Sequence, residues 1–162
     1  MFQQITKGIK ISVLTKYQGA LLKNNIPSYA FRYTVRIENQ GKDVVQLINR
    51  HWKIMESNRR PHFVDGAGVI GKKPILKSGE VHTYQSNCVL SSPIGAMNGF
   101  YTMVNFSSAQ EFDVEIPTFK LDATFAMNWS FFYTFHQKKW PMNSYPKFPK
   151  ALNEAVKEYR PG

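Results

Sequence analysis

The chain has almost no thiol chemistry available to it. Among its 162 residues there is a single cysteine, Cys88. One thiol cannot close an internal disulfide, and with histidines scattered at His51, His62, His82 and His136 it cannot complete a structural zinc site. A reducing compartment fits this usage, and Cys88 is expected to behave as a small buried hydrophobe. Long apolar runs are missing too. Residues 1–10 contain no 7–15-residue apolar core of a secretory signal. The most apolar stretch, residues 123–135, carries Asn128 and Ser130 and falls short of the ~20 residues a membrane helix needs. The expectation is a soluble, cytoplasmic chain without membrane insertion, with an organellar assembly as the alternative location. Acidic residues are scarce, 11 against 21 lysines and arginines, for a net charge of +10. Such a surplus concentrates anions around the protein and favours a phosphate-bearing partner. Walker A, G-x-S-x-G and paired-histidine motifs are all absent. Nothing joins a nucleophile, a base and an orienting group. The chain is therefore expected to be a non-enzyme, with no catalytic residue, no metal site and no cofactor.

What is present is alternation with a period of two. Ile9, Ile11 and Val13 alternate with Lys10 and Ser12. Phe31, Tyr33, Val35 and Ile37 alternate with Arg32, Thr34 and Arg36. Phe112, Val114 and Ile116 alternate with Glu111, Asp113 and Glu115. Each pattern is that of a strand with one dry and one wet face. Weaker strand candidates lie at residues 44–48, 52–55, 81–85 and 99–106. Turn chemistry falls between them at residues 39–43, 57–61, 77–80 and 107–110. Seven or eight short strands joined by turns, without intervening helical periodicity, indicate an all-β antiparallel sandwich and exclude a parallel α/β sheet. A hydrophobic share of 43% is enough for a core, and the length suits one domain with an appendage.

Two clusters carry candidate chemistry. Gly66, Gly68 and Gly71 spell G-x-G-x-x-G, followed by Lys72 and Lys73. Pro74 follows too closely for the helix of a dinucleotide fold, so a Rossmann fingerprint is excluded. Two readings remain: an anion-binding backbone nest, or glycines that shape a bend between strands. Arg50, His51 and Trp52 form the second cluster. Arg50 and His51 suit a phosphate and Trp52 a stacked base; the alternative is a core tryptophan between polar strand residues. Glu111, Asp113 and Glu115 share one strand face, which reads as solvated or as holding a divalent cation.

After Leu121 the pattern changes. Residues 122–162 hold six basic and three acidic residues and are dense in aromatics. Lys138, Lys139, Trp140, Tyr145 and Lys147 are the candidate partner-binding residues there, through charge and stacking on nucleic acid or in protein pockets. Ala151, Leu152, Ala155, Val156 and Tyr159 follow helical spacing, which predicts a short amphipathic helix over about residues 150–159. The chain thus divides into a sandwich at 1–121 and a basic aromatic extension at 122–162.

Several strings taken together resemble the ApaG domain family. They are Gln46-Leu47, Arg50-His51-Trp52 and Ile54; then residues 64–71 with Pro74; then Leu76, Gly79, Glu80, Tyr84 and Ser86. Pro93, Gly95, Met97, Gly99, Tyr101 and Met103 follow, and Phe112, Val114, Ile116, Pro117, Phe119 and Leu121 close the pattern. The resemblance covers about residues 3–121. It implies a fibronectin-type-III-like (immunoglobulin-like) sandwich and a binding role without enzymatic activity. It also implies a link to cobalt resistance and magnesium efflux, protein contacts like those of eukaryotic relatives, and a phosphate or pyrophosphate site at Gly66, Gly68 and Gly71. The alternative is a subunit of a larger assembly, such as a ribonucleoprotein, docked through the extension.

Overall fold

The computed structural model describes residues 1–57 and 59–123. The helix expected at residues 150–159 and the candidates Lys138, Lys139, Trp140, Tyr145 and Lys147 lie outside the described residues. Nine strands follow in order: β1 (Phe2–Thr6), β2 (Ile9–Lys23), β3 (Ile26–Asn39), β4 (Val45–Glu56), β5 (His62–Ala67), β6 (Ile75–Leu76), β7 (Val81–Leu90), β8 (Ile94–Asn105) and β9 (Gln110–Asp122). They form two antiparallel sheets. Sheet A has the order β1-β2-β3-β7. Sheet B has the order β5-β4-β8-β9, with β6 pairing β4 beyond the end of β5.

The alternation read from the sequence sets the layers. Ile9, Ile11 and Val13 from β2, and Phe31, Tyr33, Val35 and Ile37 from β3, face Trp52, Met97, Tyr101, Val114, Ile116 and Phe119 of sheet B. Trp52 meets the rings of Tyr33, Tyr101 and Phe119 edge-on, at centroid separations of 5.5 to 6.3 Å, the arrangement ring quadrupoles favour. The phenol hydroxyls of Tyr84 and Tyr101 hydrogen-bond each other inside the core. Asn39 is completely buried, and its amide donates to the carbonyls of Asp43 and Leu76. This ties the turn at 39–43 to the strand end of β6 at no desolvation loss.

Three differences from the sequence reading have physical causes. Residues 44–48 and 52–55 belong to one strand, because a bulge at Ile48 lets β4 pass Leu47 and Asn49 without ending. The β2–β3 pair extends well past its alternating segment, turning at Asn24 and Asn25, both at positive φ, as a primed two-residue hairpin turn requires. Phe112, expected to face inward with Val114 and Ile116, is only half-buried beneath the Lys7 ammonium. Phe119 is fully buried instead. Accordingly Phe119→Ala should cost ~3–5 kcal/mol in urea unfolding and Phe112→Ala only about 1–2 kcal/mol. Equal costs for the two would contradict this packing.

Candidate functional site

The glycine string runs from the end of β5 into the tight turn closed by Val69 and Lys72 that leads to β6. Gly66 is still in β5, opposite Arg50 of β4. A Cβ on Gly66 would stand 2.8 Å from the Arg50 guanidinium. That guanidinium donates from Nη1 to the carbonyls of Ala67 and Gly68, at 3.2 and 2.8 Å. Gly68 has φ +62, and a Cβ there would lie 2.2 Å from the Lys72 carbonyl oxygen. Val69 and Lys72 exchange both backbone hydrogen bonds around Ile70 and Gly71, which both have positive φ. This is a tight reverse turn that needs a left-handed backbone at two positions. The amide of Gly68 donates to the Ile48 carbonyl, that of Val69 to Lys72, and that of Lys72 to Val69. Three of the loop's amides are therefore already bonded, two within the turn and one to β4. Lys72 and Lys73 are exposed beside it.

Arg50, Gly66, Gly68, Gly71, Lys72 and Lys73 are thus brought together, but His51 is not. Adjacent strand residues point to opposite faces, and the His51 ring lies on the outer face of sheet B. There its Nδ1 is 2.8 Å from Asp65 Oδ1, and its ring stacks on Phe100 at 4.4 Å. Trp52 is a core residue, 4% exposed.

That outer face holds a feature the sequence reading missed. An open groove of ≈ 570 Å³ runs across β5, β4, β8 and β9 and is reached by Gln4 of β1. The groove follows from an irregularity. Between Met97 and Gly99 the β8–β9 register shifts, so Asn98 faces Pro117 and Thr118. Pro117 has no N–H for the ladder, and a bulge is where a strand tolerates it. Gly99 then lets β8 approach β4 so closely that a Cβ would stand 1.9 Å from the His51 carbonyl oxygen. Along the groove Thr102 Oγ1 donates to Asp113 Oδ1 at 3.0 Å, and Gln4 donates to Glu115. Phe63 is 65% exposed at its rim. The one early signal was Pro117 interrupting an otherwise alternating strand.

The cysteine and the tyrosines of the interior are held in their neutral forms. Burial pushes the Cys88 thiol up to about 12, and burial likewise raises Tyr33 to about 12. Burial likewise raises Tyr84 and Tyr101 well above the ordinary tyrosine value. A thiol so displaced is inert as a nucleophile near neutral pH.

Two antiparallel layers over an aromatic core, with all groups of interest on strands and hairpins, define a fibronectin-type-III-like β-sandwich. The ApaG domain model matches residues 21–105, and the chain belongs to the ApaG family. Protein ApaG of Beijerinckia indica subsp. indica is 40% identical over 126 residues, spanning 78% of this chain and 96% of the relative. Protein ApaG of Methylocella silvestris is 42% identical over 125 residues, spanning 77% and 95%. Among solved structures, the putative ApaA protein from Bordetella pertussis has a TM-score of 0.65 at 38% identity, over 70% of this chain and 92% of that one. A structural-genomics target solved by X-ray has a TM-score of 0.68 at 35% identity, over 71% and 86%. The relatives' names assign no reaction. Among the described residues no helix is long and apolar enough to cross a membrane.

Proposed function

We propose that the chain is a non-catalytic binding module whose recognition surface is the outer groove of sheet B. One observation carries this reading: Asp65, Asp113 and Glu115 stand beside Phe63 and Phe100 in an open depression, and among the described residues none of the three carboxylates pairs with a lysine or arginine. In a chain of net charge +10 that is a local reversal of sign. An exposed ring and a half-buried one beside carboxylates suit a partner that is cationic and partly apolar. The Thr102 hydroxyl stands 3.5 Å from His51 Nε2 and donates to Asp113, so His51 is not placed to activate it. The link to divalent metals that the family resemblance implies would then run through a bound partner. Among the described residues no three His, Cys, Asp or Glu side chains group so as to hold a metal ion.

A second reading is favoured by Lys72 and Lys73, exposed beside the Ile70–Gly71 turn: a phosphate or pyrophosphate held by them with Gly66, Gly68, Gly71 and Arg50 nearby. Amide spectra of the protein separate the two. A lysine- and tryptophan-containing peptide should shift Lys53, Phe63, Asp65 and Phe100. Asp65→Lys with Asp113→Lys should weaken it roughly tenfold or more. Pyrophosphate acting first on residues 70–73 supports the second reading. Nucleotide hydrolysis that survives rigorous purification and disappears with His51→Ala overturns the non-catalytic reading.

A further inference from the structure

The two outer faces of the sandwich differ in sign. On sheet A, Lys10, Lys16, Arg32 and Arg36 alternate with the buried residues of β2 and β3 and so stand on the outer face, with Glu38 beside Arg36. Lys16 lies directly across the ladder from Arg32. On sheet B the corresponding face carries Asp65, Glu111, Asp113 and Glu115, with Lys53, and with Lys120 paired to Asp122. One end of the chain matches the second face. Residues 124–162 contain six lysines and arginines against two glutamates, and ten aromatic residues.

We infer that the groove on the outer face of sheet B is the docking site of the chain's own basic aromatic segment, residues 124–162. The inference rests on the groove being a recognition surface, as proposed above, and names its occupant.

Charge complementarity is the first argument. Lys138 and Lys139 are opposite in sign to three carboxylates that, among the described residues, pair with no lysine or arginine, whereas the sheet A face carries their own sign. Ring content is the second. Phe63 and Phe100 offer an apolar floor to Trp140 and its neighbours, and rings left in water are an aggregation liability. The tether is the third. Thr118 lines the groove, and β9 continues from it to Asp122, only four residues on. At ~3.3 Å per residue that is roughly 13 Å. The 39 residues that follow Ala123 span that return many times over. A covalent link of this length places a binding segment at an effective concentration on the order of 1 mM. A groove affinity of only ~1 mM therefore leaves the site about half occupied, and no tighter contact is required.

The test uses the full chain carrying Ser144→Cys modified with a nitroxide. Cys88 is buried and stays unlabelled. Amide signals of Phe63, Asp65, Phe100 and Asp113 should lose most of their intensity, while those of Lys16, Arg32 and Thr83 on sheet A keep theirs. Asp113→Lys with Glu115→Lys should restore the groove signals, as should raising salt from ~0.05 to ~0.5 M. The salt arm needs no substitution, so it holds even if the double variant misfolds. Broadening that is uniform over both faces, or confined to sheet A, overturns the inference. So does broadening that appears only when labelled and unlabelled molecules are mixed, because the occupant is then a second copy. If the groove binds the added peptide but shows no effect of the nitroxide, the recognition surface stands and its intramolecular occupant falls.

Discussion

A single methyl group at Gly99 should cost the sandwich about 4 kcal/mol or more. Gly99 lies across the ladder from Trp52, where β8 and β4 approach most closely. Its Cβ would meet the His51 carbonyl oxygen at 1.9 Å and Trp52 Cα at 3.1 Å. Both are backbone or nearly so, and neither can rotate away. Relief requires the two central strands of sheet B to separate, breaking ladder hydrogen bonds and lifting Trp52 from its contacts with Tyr33 and Phe119. Interiors at this density do not absorb an ångström of displacement cheaply. Gly71 is the built-in comparison. A Cβ there meets nothing within 4 Å, but φ is +69, so Gly71→Ala should cost only ~1–2 kcal/mol, the penalty of one left-handed residue. Urea unfolding of the two variants measures the difference. A Gly99→Ala protein within 1 kcal/mol of the parent would show that β4 and β8 are not packed as described.

Alkali should unfold the protein before pH 12. Four interior groups carry the effect: Cys88, Tyr33, Tyr84 and Tyr101, all raised by burial. Their folded values lie above their unfolded ones, so each contributes its stability fully below the unfolded value. That contribution is lost as pH rises toward the folded value. For Cys88 the window runs from 9.0 to about 12, and for Tyr33 from 10.0 to about 12. Each group withdraws about 1.4 kcal/mol per pH unit inside its window. By pH 11 Cys88 and Tyr33 alone withdraw roughly 4 kcal/mol, and Tyr84 and Tyr101 act in the same direction, which brings the loss to the order of an ordinary domain's stability of ~5–15 kcal/mol. Circular dichroism and tyrosinate absorbance, followed together, provide the check. The buried tyrosines should ionise only as the β signal collapses, in one cooperative step near pH 11. Native circular dichroism persisting at pH 12 would mean these rings are not sealed from water.

The core was legible because strand alternation is a local property. Ile9, Ile11 and Val13, and likewise Phe31 through Ile37, show their buried face without reference to any other segment. The glycine string was half legible. Its spacing marked a place where the backbone is special, but the sequence left both an anion nest and a shaped bend open. Only the partner strand showed that Arg50 fills the space left at Gly66 and that three amides are already bonded. Arg50 and His51 are adjacent in sequence but stand on opposite faces of β4, because neighbours on a strand face opposite ways.

The sequence by itself determined the fold class, the layering of the core and the family, since each rests on short-range pattern or on residues matched one by one. It also determined the asymmetry of charge between the segment after Ala123 and the carboxylates of β9. Tertiary structure alone decided where those carboxylates stand. Asp65 joins Asp113 and Glu115 only because β5 and β9 flank β4 and β8 in one sheet, and the groove opens only because Asn98 and Pro117 break the register between β8 and β9. Both depend on pairing between strands distant in sequence, which no period in the sequence records.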